Sequence, residues 1–121
     1  MGYFKDLKAY QHARRLAVLS KPLIARLPPS ESDLADQWRR ACHSVALNLA
    51  EGAGRRGPRE FRRFIDIARG SLQEIEAILD MALSLEYFDA AALAEVVAAR
   101  DECARTVFGL LRKFSEPSRP S

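Results

Sequence analysis

A stripe of polar residues with helical spacing is the first candidate for chemistry in this sequence. Its members are three or four residues apart within each of two segments, so each set shares one helix face. The stripe consists of Arg40, Ser44, Asn48 and Glu51 in one segment and Ser71 and Glu74 in the next. Glu51 and Glu74 could form an acid–base or ligand site, or the stripe could be a hydrogen-bonded network that fixes helix register or subunit contact. Because no nucleophile–base–orienter set accompanies the glutamates, we favour the structural network and expect no enzyme activity.

The densest charge lies between positions 55 and 63, where five of nine residues are arginine. A guanidinium fork matches phosphate oxygens, and a helix that begins at Gly57-Pro58 would add free N–H groups that favour anions. This pattern indicates a phosphate-binding segment. The alternative is a solvated helix face, with some arginines paired to acids of a neighbouring subunit. No aromatic-interleaved platform for base stacking is visible, so any contact should be to nucleic-acid backbone and shape.

The remaining chemical motifs are absent from the sequence. Cys42, Cys103, His12 and His43 are too few for a disulfide scaffold and lack the spacing of a zinc site. Cys103 lies on an apolar stripe and is typical of a small core residue. We therefore expect no metal and no cofactor.

Apolar residues recur at steps of three and four in four segments, which predicts four amphipathic helices. The first covers 4–27 and contains Pro22, which should kink or divide it. The second begins after Pro28-Pro29 with Ser30 as its cap and stops at Gly52-Ala53-Gly54, where a glycine takes the left-handed conformation. The third begins at Gly57-Pro58 and ends near Glu86–Phe88, and the fourth runs from its N-cap Asp89 to Phe114.

Short connections favour antiparallel neighbours, so the predicted fold is an all-α, up-down-up-down four-helix bundle over 1–114. Residues 115–121 are predicted to be a disordered tail. Gly70 suggests a close helix approach, and Trp38 should lie in the core or an interface. Exposed aromatic residues are candidates for subunit contact, namely Tyr3, Phe64 and Tyr87. Neither a membrane span nor a signal-peptide core is visible, so we expect a cytoplasmic protein.

In this topology both chain ends and the connection between the second and third helices meet at one end of the bundle. Residues 52–69 carry six basic and two acidic residues, whereas 70–104 carry one basic and eight acidic residues. The bundle should therefore have one basic and one acidic end. The candidate nucleic-acid-binding residues are Arg55, Arg56, Arg59, Arg62 and Arg63, with help from Lys5, Lys8, Arg112 and Lys113.

Several of these residues fall into a pattern that resembles a known family. The motif runs Gln37-x-Arg39-Arg40-Ala41-x-x-Ser44-Val45-x-x-Asn48-Leu49-Ala50-Glu51-Gly52, then Arg55, then Phe61-x-x-Phe64-x-x-Ile67-Ala68-x-Gly70-Ser71-x-x-Glu74. It resembles the bacterial four helix bundle proteins encoded in intervening sequences of 23S ribosomal RNA genes. Their relatives include the accessory variability determinant proteins of diversity-generating retroelements.

The resemblance implies a homopentameric ring, a basic surface suited to nucleic acid and no known enzyme activity. In the retroelement branch it implies action with a reverse transcriptase and its RNA. We therefore expect a non-catalytic, homo-oligomeric adaptor that binds structured RNA or an RNA–DNA hybrid. The alternative is a protein-interaction module whose basic end docks an acidic partner without contacting nucleic acid.

Overall fold

The computed structural model describes residues 3–115, which form four α-helices and no β-strand. The helices are α1 (Lys8–Ile24), α2 (Ser32–Ala53), α3 (Gly57–Ser84) and α4 (Ala90–Ser115). Short 3₁₀ turns precede α1 and α2. The predicted all-α bundle is thus confirmed. Helix α4 includes Ser115, the first residue of the predicted tail, and 116–121 lie outside the described residues.

The helices are arranged as an antiparallel square. Helix α1 packs against α2 and α4, α3 packs against the same two, and no Cα atoms of the diagonal pairs come within 8 Å. The direction of the chain follows from side chains at helix ends. Phe61 at the start of α3 stacks on Phe114 at the end of α4, with ring centroids 5.1 Å apart. Early α2 similarly meets the residues after α3, because Trp38 and Phe88 are in edge contact at 6.3 Å.

A continuous apolar core holds the four helices together. Its largest fully buried side chains include Leu16, Trp38, Leu49, Ile65 and Leu72. Burial of such side chains is the main favourable term for folding, at about 1.5–3 kcal/mol each. Trp38 therefore lies in the core, one of the two positions that the sequence allowed.

Of the two predicted N-cap residues, one is confirmed and one is wrong. Asp89 caps α4 as expected, since its Oδ1 accepts a hydrogen bond from the Ala92 N–H at 2.8 Å. Ser30 does not cap α2, which begins at Ser32 without a side-chain cap. The reason is local: the two prolines begin a 3₁₀ turn in which the Glu31 N–H donates to the Pro28 carbonyl at 2.8 Å, and this turn contains Ser30.

The first predicted helix is shorter than expected. Its initial residues form the 3₁₀ turn Phe4–Asp6, Leu7 is extended, and α1 ends at Ile24. Pro22 does not divide α1, which continues without a break to Ile24; the proline removes only the hydrogen bond that its own N–H would have donated.

Two helix ends also differ from the prediction. Helix α2 continues through Gly52 to Ala53, and Gly54 has a right-handed φ of −89°. The left-handed glycine is instead Gly57, with φ of 78°. Helix α3 stops at Ser84, because Glu86 takes a φ of 63° and the Tyr87 N–H donates to the Ala82 carbonyl at 3.0 Å. This is a Schellman-type end without glycine.

The close helix approach lies at Gly52, not at Gly70. A Cβ on Gly52 would come within 2.8 Å of the Phe64 Cβ and 2.9 Å of the Phe61 ring. A Cβ on Gly70 would meet nothing within 4 Å, so the predicted role of Gly70 is wrong. The absent side chain at Gly52 lets both phenylalanines of α3 rest on the backbone of α2.

Alanine at these two glycines should have opposite effects. We expect G52A to lower the free energy of unfolding by about 1–3 kcal/mol, because the new methyl group overpacks against Phe61 and Phe64. G70A, the matched control, should raise it by up to about 1 kcal/mol through helix propensity. Urea unfolding measures both. Equal shifts in the two variants would contradict the close approach at Gly52.

The two cysteines are separate buried thiols. Cys42 donates to the Ser20 hydroxyl at 3.5 Å, and Cys103 donates to the Ala9 carbonyl at 3.7 Å. They lie on diagonal helices, so their Cα atoms are too far apart for a disulfide. Burial raises the pKa of Cys103 from 9.0 to about 12, and burial also raises the pKa of Cys42. Cys103 is therefore a core residue, as predicted.

These thiols should make the fold sensitive to alkali. The raised pKa values mean that the folded chain keeps thiol protons that the unfolded chain loses above about pH 9. Their contribution to stability is complete below pH 9 and declines as pH rises toward 12. We expect the free energy of unfolding to fall over this range, and C103A to make the slope shallower. An unchanged slope in C103A would count against a buried Cys103.

Candidate functional site

The N-terminal segment, the α2–α3 connection and the end of α4 meet at one end of the bundle. The turn at Phe4–Asp6 packs against α1 and α2, and the Phe61–Phe114 stack joins the start of α3 to the end of α4. We call this end, formed by residues 3–8, 51–63 and 112–114, the basic pole. It carries nine lysine and arginine residues against three carboxylates. All nine are the residues that the sequence selected, and all nine are exposed.

A buried phenylalanine holds two of the arginines. The Phe64 ring is 8% exposed, and the guanidinium carbons of Arg55 and Arg63 lie 5.1 and 4.4 Å from its centroid. Cation–π contacts at such distances are worth about 0.5–1 kcal/mol at exposed sites. Phe64 therefore orients guanidiniums of the pole, and the prediction that it is an exposed subunit contact is wrong.

Carboxylates at the pole engage some of the arginines without burying them. Arg55 pairs with Glu51, and Arg63 lies 3.5 Å from Glu60. These side chains remain about half exposed, and surface pairs of this kind are worth about 0–1 kcal/mol. A phosphate could replace such a carboxylate at little cost. Arg56 and Arg59 make no ion pair within residues 3–115.

The start of α3 adds backbone donors to the pole. Gly57 in its left-handed conformation turns the chain, and Pro58 occupies the first turn, where its missing N–H removes no helical bond. Helix α3 has no side-chain cap, so its first N–H groups have no side-chain acceptor. Unfilled N–H groups at a helix start attract anions.

Two lysines at the edge of the basic pole lie close to neighbouring aromatic rings. Lys5 lies 5.7 Å from the centroid of Tyr3, and Lys113 lies 5.6 Å from that of Phe114. Tyr3 is exposed, as predicted. Tyr87 lies at the other end, where its hydroxyl donates to Glu31 and the side chain is half-buried.

The predicted polar network forms in part. Asn48 donates from Nδ2 to the Ser44 carbonyl at 2.8 Å and to its Oγ at 3.1 Å. Ser71 donates to the Ser44 Oγ at 2.8 Å, which links α2 to α3. The three side chains are half-buried. These hydrogen bonds fix the register of α2 against α3, and we call the three residues the register pin.

The other members of the polar stripe lie outside this network. Glu51 faces solvent and pairs with Arg55, while Arg40 and Glu74 are exposed and make no hydrogen bond within residues 3–115. Their predicted place in a shared network is wrong.

No group of three or more His, Cys, Asp or Glu side chains in the described range is arranged to hold a metal ion. Within the same range, no helix has both the length and the apolar character needed to cross a membrane.

The pole depends on two residues whose roles the sequence reading missed, Gly52 and Phe64. The signal for Gly52 was present. It continues the spacing of Val45 and Leu49 on the core face of α2, where a glycine marks a close contact.

A comparison with known protein families identifies the family of this chain. The model of the 23S rRNA-intervening sequence protein family matches residues 5–109. The chain belongs to this family. The match spans all four helices and most of the basic pole, so the family resemblance read from the sequence is confirmed. No individually curated protein matches the chain.

The effect of the Phe64 ring on the orientation of Arg55 and Arg63 can be measured directly. In F64L the apolar volume is largely kept but the aromatic face is lost, so we expect the Nε–H groups of Arg55 and Arg63 to become more mobile by ¹⁵N relaxation. F108L removes an exposed ring that makes no arginine contact and is the control. Unchanged mobility in F64L would show that the ring does not orient these side chains.

Proposed function

We propose that the protein is a non-catalytic adaptor that binds the backbone of structured RNA, or of an RNA–DNA hybrid, through the basic pole. The observation that carries the proposal is the convergence of nine exposed basic side chains at one end of the bundle. Neutralising several phosphates releases counterions, which supplies sequence-independent affinity. Membership of a family named for intervening sequences of 23S rRNA supports an RNA partner.

The aromatic residues in the pole and beside it favour contact with the nucleic-acid backbone over recognition of bases. Phe61 and Phe64 are buried against α2, so neither offers a free face on which bases could stack. Tyr3 is exposed but already packs on Phe4, at a centroid distance of 5.1 Å. Arginine forks and backbone N–H groups remain, and these recognise phosphate rather than base identity.

The acidic half of the chain would orient a polyanion. Residues 70–104 carry eight carboxylates, and those near the end of α3 and the start of α4 lie at the end opposite the pole. The resulting field attracts nucleic acid to one end and repels it from the other.

The proposed adaptor works as a homo-oligomer in the cytoplasm. In a cyclic oligomer every basic pole points to the same side, so the charges of all copies act on one nucleic acid. Its RNA is either ribosomal or that of a retroelement, in which case a reverse transcriptase is the further partner.

Removal of the five pole arginines should abolish this binding. We expect replacement of Arg55, Arg56, Arg59, Arg62 and Arg63 by glutamine to weaken binding to structured RNA at low salt by at least about a hundredfold. Each lost phosphate contact should flatten the slope of log affinity against log salt by roughly 0.7–0.9. Filter binding over a salt series measures both quantities.

A matched control removes equal charge elsewhere. Glutamine at Arg14, Arg15, Arg26, Arg40 and Arg69, which are exposed and lie outside the pole, should leave most of the affinity and the salt slope intact. Equal losses in the two variants, or no RNA binding by the wild type at low salt, would overturn the proposal. A nuclease-resistant pull-down of an acidic protein, with no RNA binding, would point to the protein-docking alternative.

A further inference from the structure

Two grooves of opposite charge lie on opposite sides of the bundle. One runs between α1 and α2 and the other between α3 and α4, and in the square arrangement these helix pairs form opposing faces. Neither groove includes a residue of the basic pole. Both are wide enough to receive side chains, with volumes of about 500 and 340 Å³.

The α1–α2 groove is apolar with a basic rim. Its floor includes Ile24 and the buried Ser20–Cys42 pair, and Val18 stands at its side with 65% of its surface exposed. Lys21, Arg39 and His43 line the rim. Arg39 pairs with Asp36 at 2.8 Å, whereas Lys21 makes no ion pair within the described residues. We call this surface the basic groove.

The α3–α4 groove is apolar with an acidic rim. Leu83 and Val97 are 41% and 38% exposed, and Glu76, Asp80 and Asp101 surround them. The nearby Arg100 is 12% exposed and is held by Asp101 at 2.8 Å and Glu76 at 3.8 Å. Asp80 has no ion-pair partner in the described range. The rim thus keeps a net negative charge, and we call this surface the acidic groove.

The two grooves also lie at the same height along the bundle. Lys21 is near the end of α1 that lies farthest from the basic pole, and Arg39 and His43 are in the first half of α2. Residues 76–83 end α3 and residues 90–101 begin α4, which places them in the same half of the molecule. Two copies with parallel axes can therefore place the basic groove of one against the acidic groove of the other, with no shift of one copy along the bundle axis.

We propose that the occupant of the basic groove is a second copy of this chain, which presents its acidic groove. The inference rests on the homo-oligomer in the proposed function and names its surfaces. Charge complementarity and matching height are its grounds, and exposed Val18, Leu83 and Val97 supply the apolar centre. Such an interface is heterologous, so it closes into a ring or continues as a filament, with all basic poles on one side.

Charge reversal of one rim at a time tests the assignment by sedimentation velocity. We expect K21E, which removes the net positive charge of the basic groove, and D80K, which cancels the net negative charge of the acidic groove, each to weaken self-association by at least about tenfold. An equimolar mixture of K21E and D80K should associate again, because the intact basic groove of D80K fits the intact acidic groove of K21E, and the two substituted positions also carry opposite charges. Neither substitution breaks an intramolecular ion pair of residues 3–115, so circular dichroism should show folded protein.

Matched controls are R40E and E74K, which make the same charge changes at exposed residues of α2 and α3 that lie outside both grooves. They should assemble like the wild type. If all four variants assemble alike, or the mixture fails to recover association, the groove assignment is overturned while the homo-oligomer stands. A wild type that is monomeric overturns both. RNA binding by the same variants reports separately on the basic pole, which none of these substitutions touches.

Discussion

The contact between α2 and α3 at Gly52 is the constraint on which the basic pole depends. Because Gly52 has no side chain, Phe61 and Phe64 pack directly on the α2 backbone. Each phenylalanine also makes a second contact. Phe61 stacks on Phe114 and brings the end of α4 to the pole, while Phe64 carries Arg55 and Arg63 on its ring. The register pin of Ser44, Asn48 and Ser71 holds the same two helices farther along. Packing in the core therefore determines where the basic side chains of the pole lie.

Charge is divided along the bundle as well as across it. The pole gathers cations whose mutual repulsion is relieved by about half-exposed carboxylates such as Glu51 and Glu60, and surface ion pairs of this kind are worth only about 0–1 kcal/mol each. The other half holds the acidic groove and, on the opposite face, the basic groove. In the function proposed above, one end binds polyanions while the two grooves on the sides bind further copies. The two activities need not share a residue.

Helical periodicity was enough to predict the bundle and its basic end, because apolar spacing and short connections leave few arrangements for four helices. The sequence failed where the outcome depended on packing. The period of α3 alone cannot show that the face of Phe64 is covered by Gly52. It also cannot show that Glu51 turns outward to Arg55 rather than inward to Ser44. At Ser30 and Gly54, local preferences for caps gave way to the turn imposed by Pro28-Pro29 and to the left-handed Gly57. Glu86 in a left-handed conformation had no signal in its residue type.

The most direct test of the account maps the bound nucleic acid onto the fold by amide chemical-shift perturbation. Titration with a structured RNA should shift residues 3–8, 51–63 and 112–114 together, at the same RNA concentration, and leave the end of α3 and the start of α4 unmoved. This pattern would show that antiparallel packing makes one binding surface from three distant stretches of sequence. Shifts confined to one of the three stretches, or centred on the acidic half, would contradict the account.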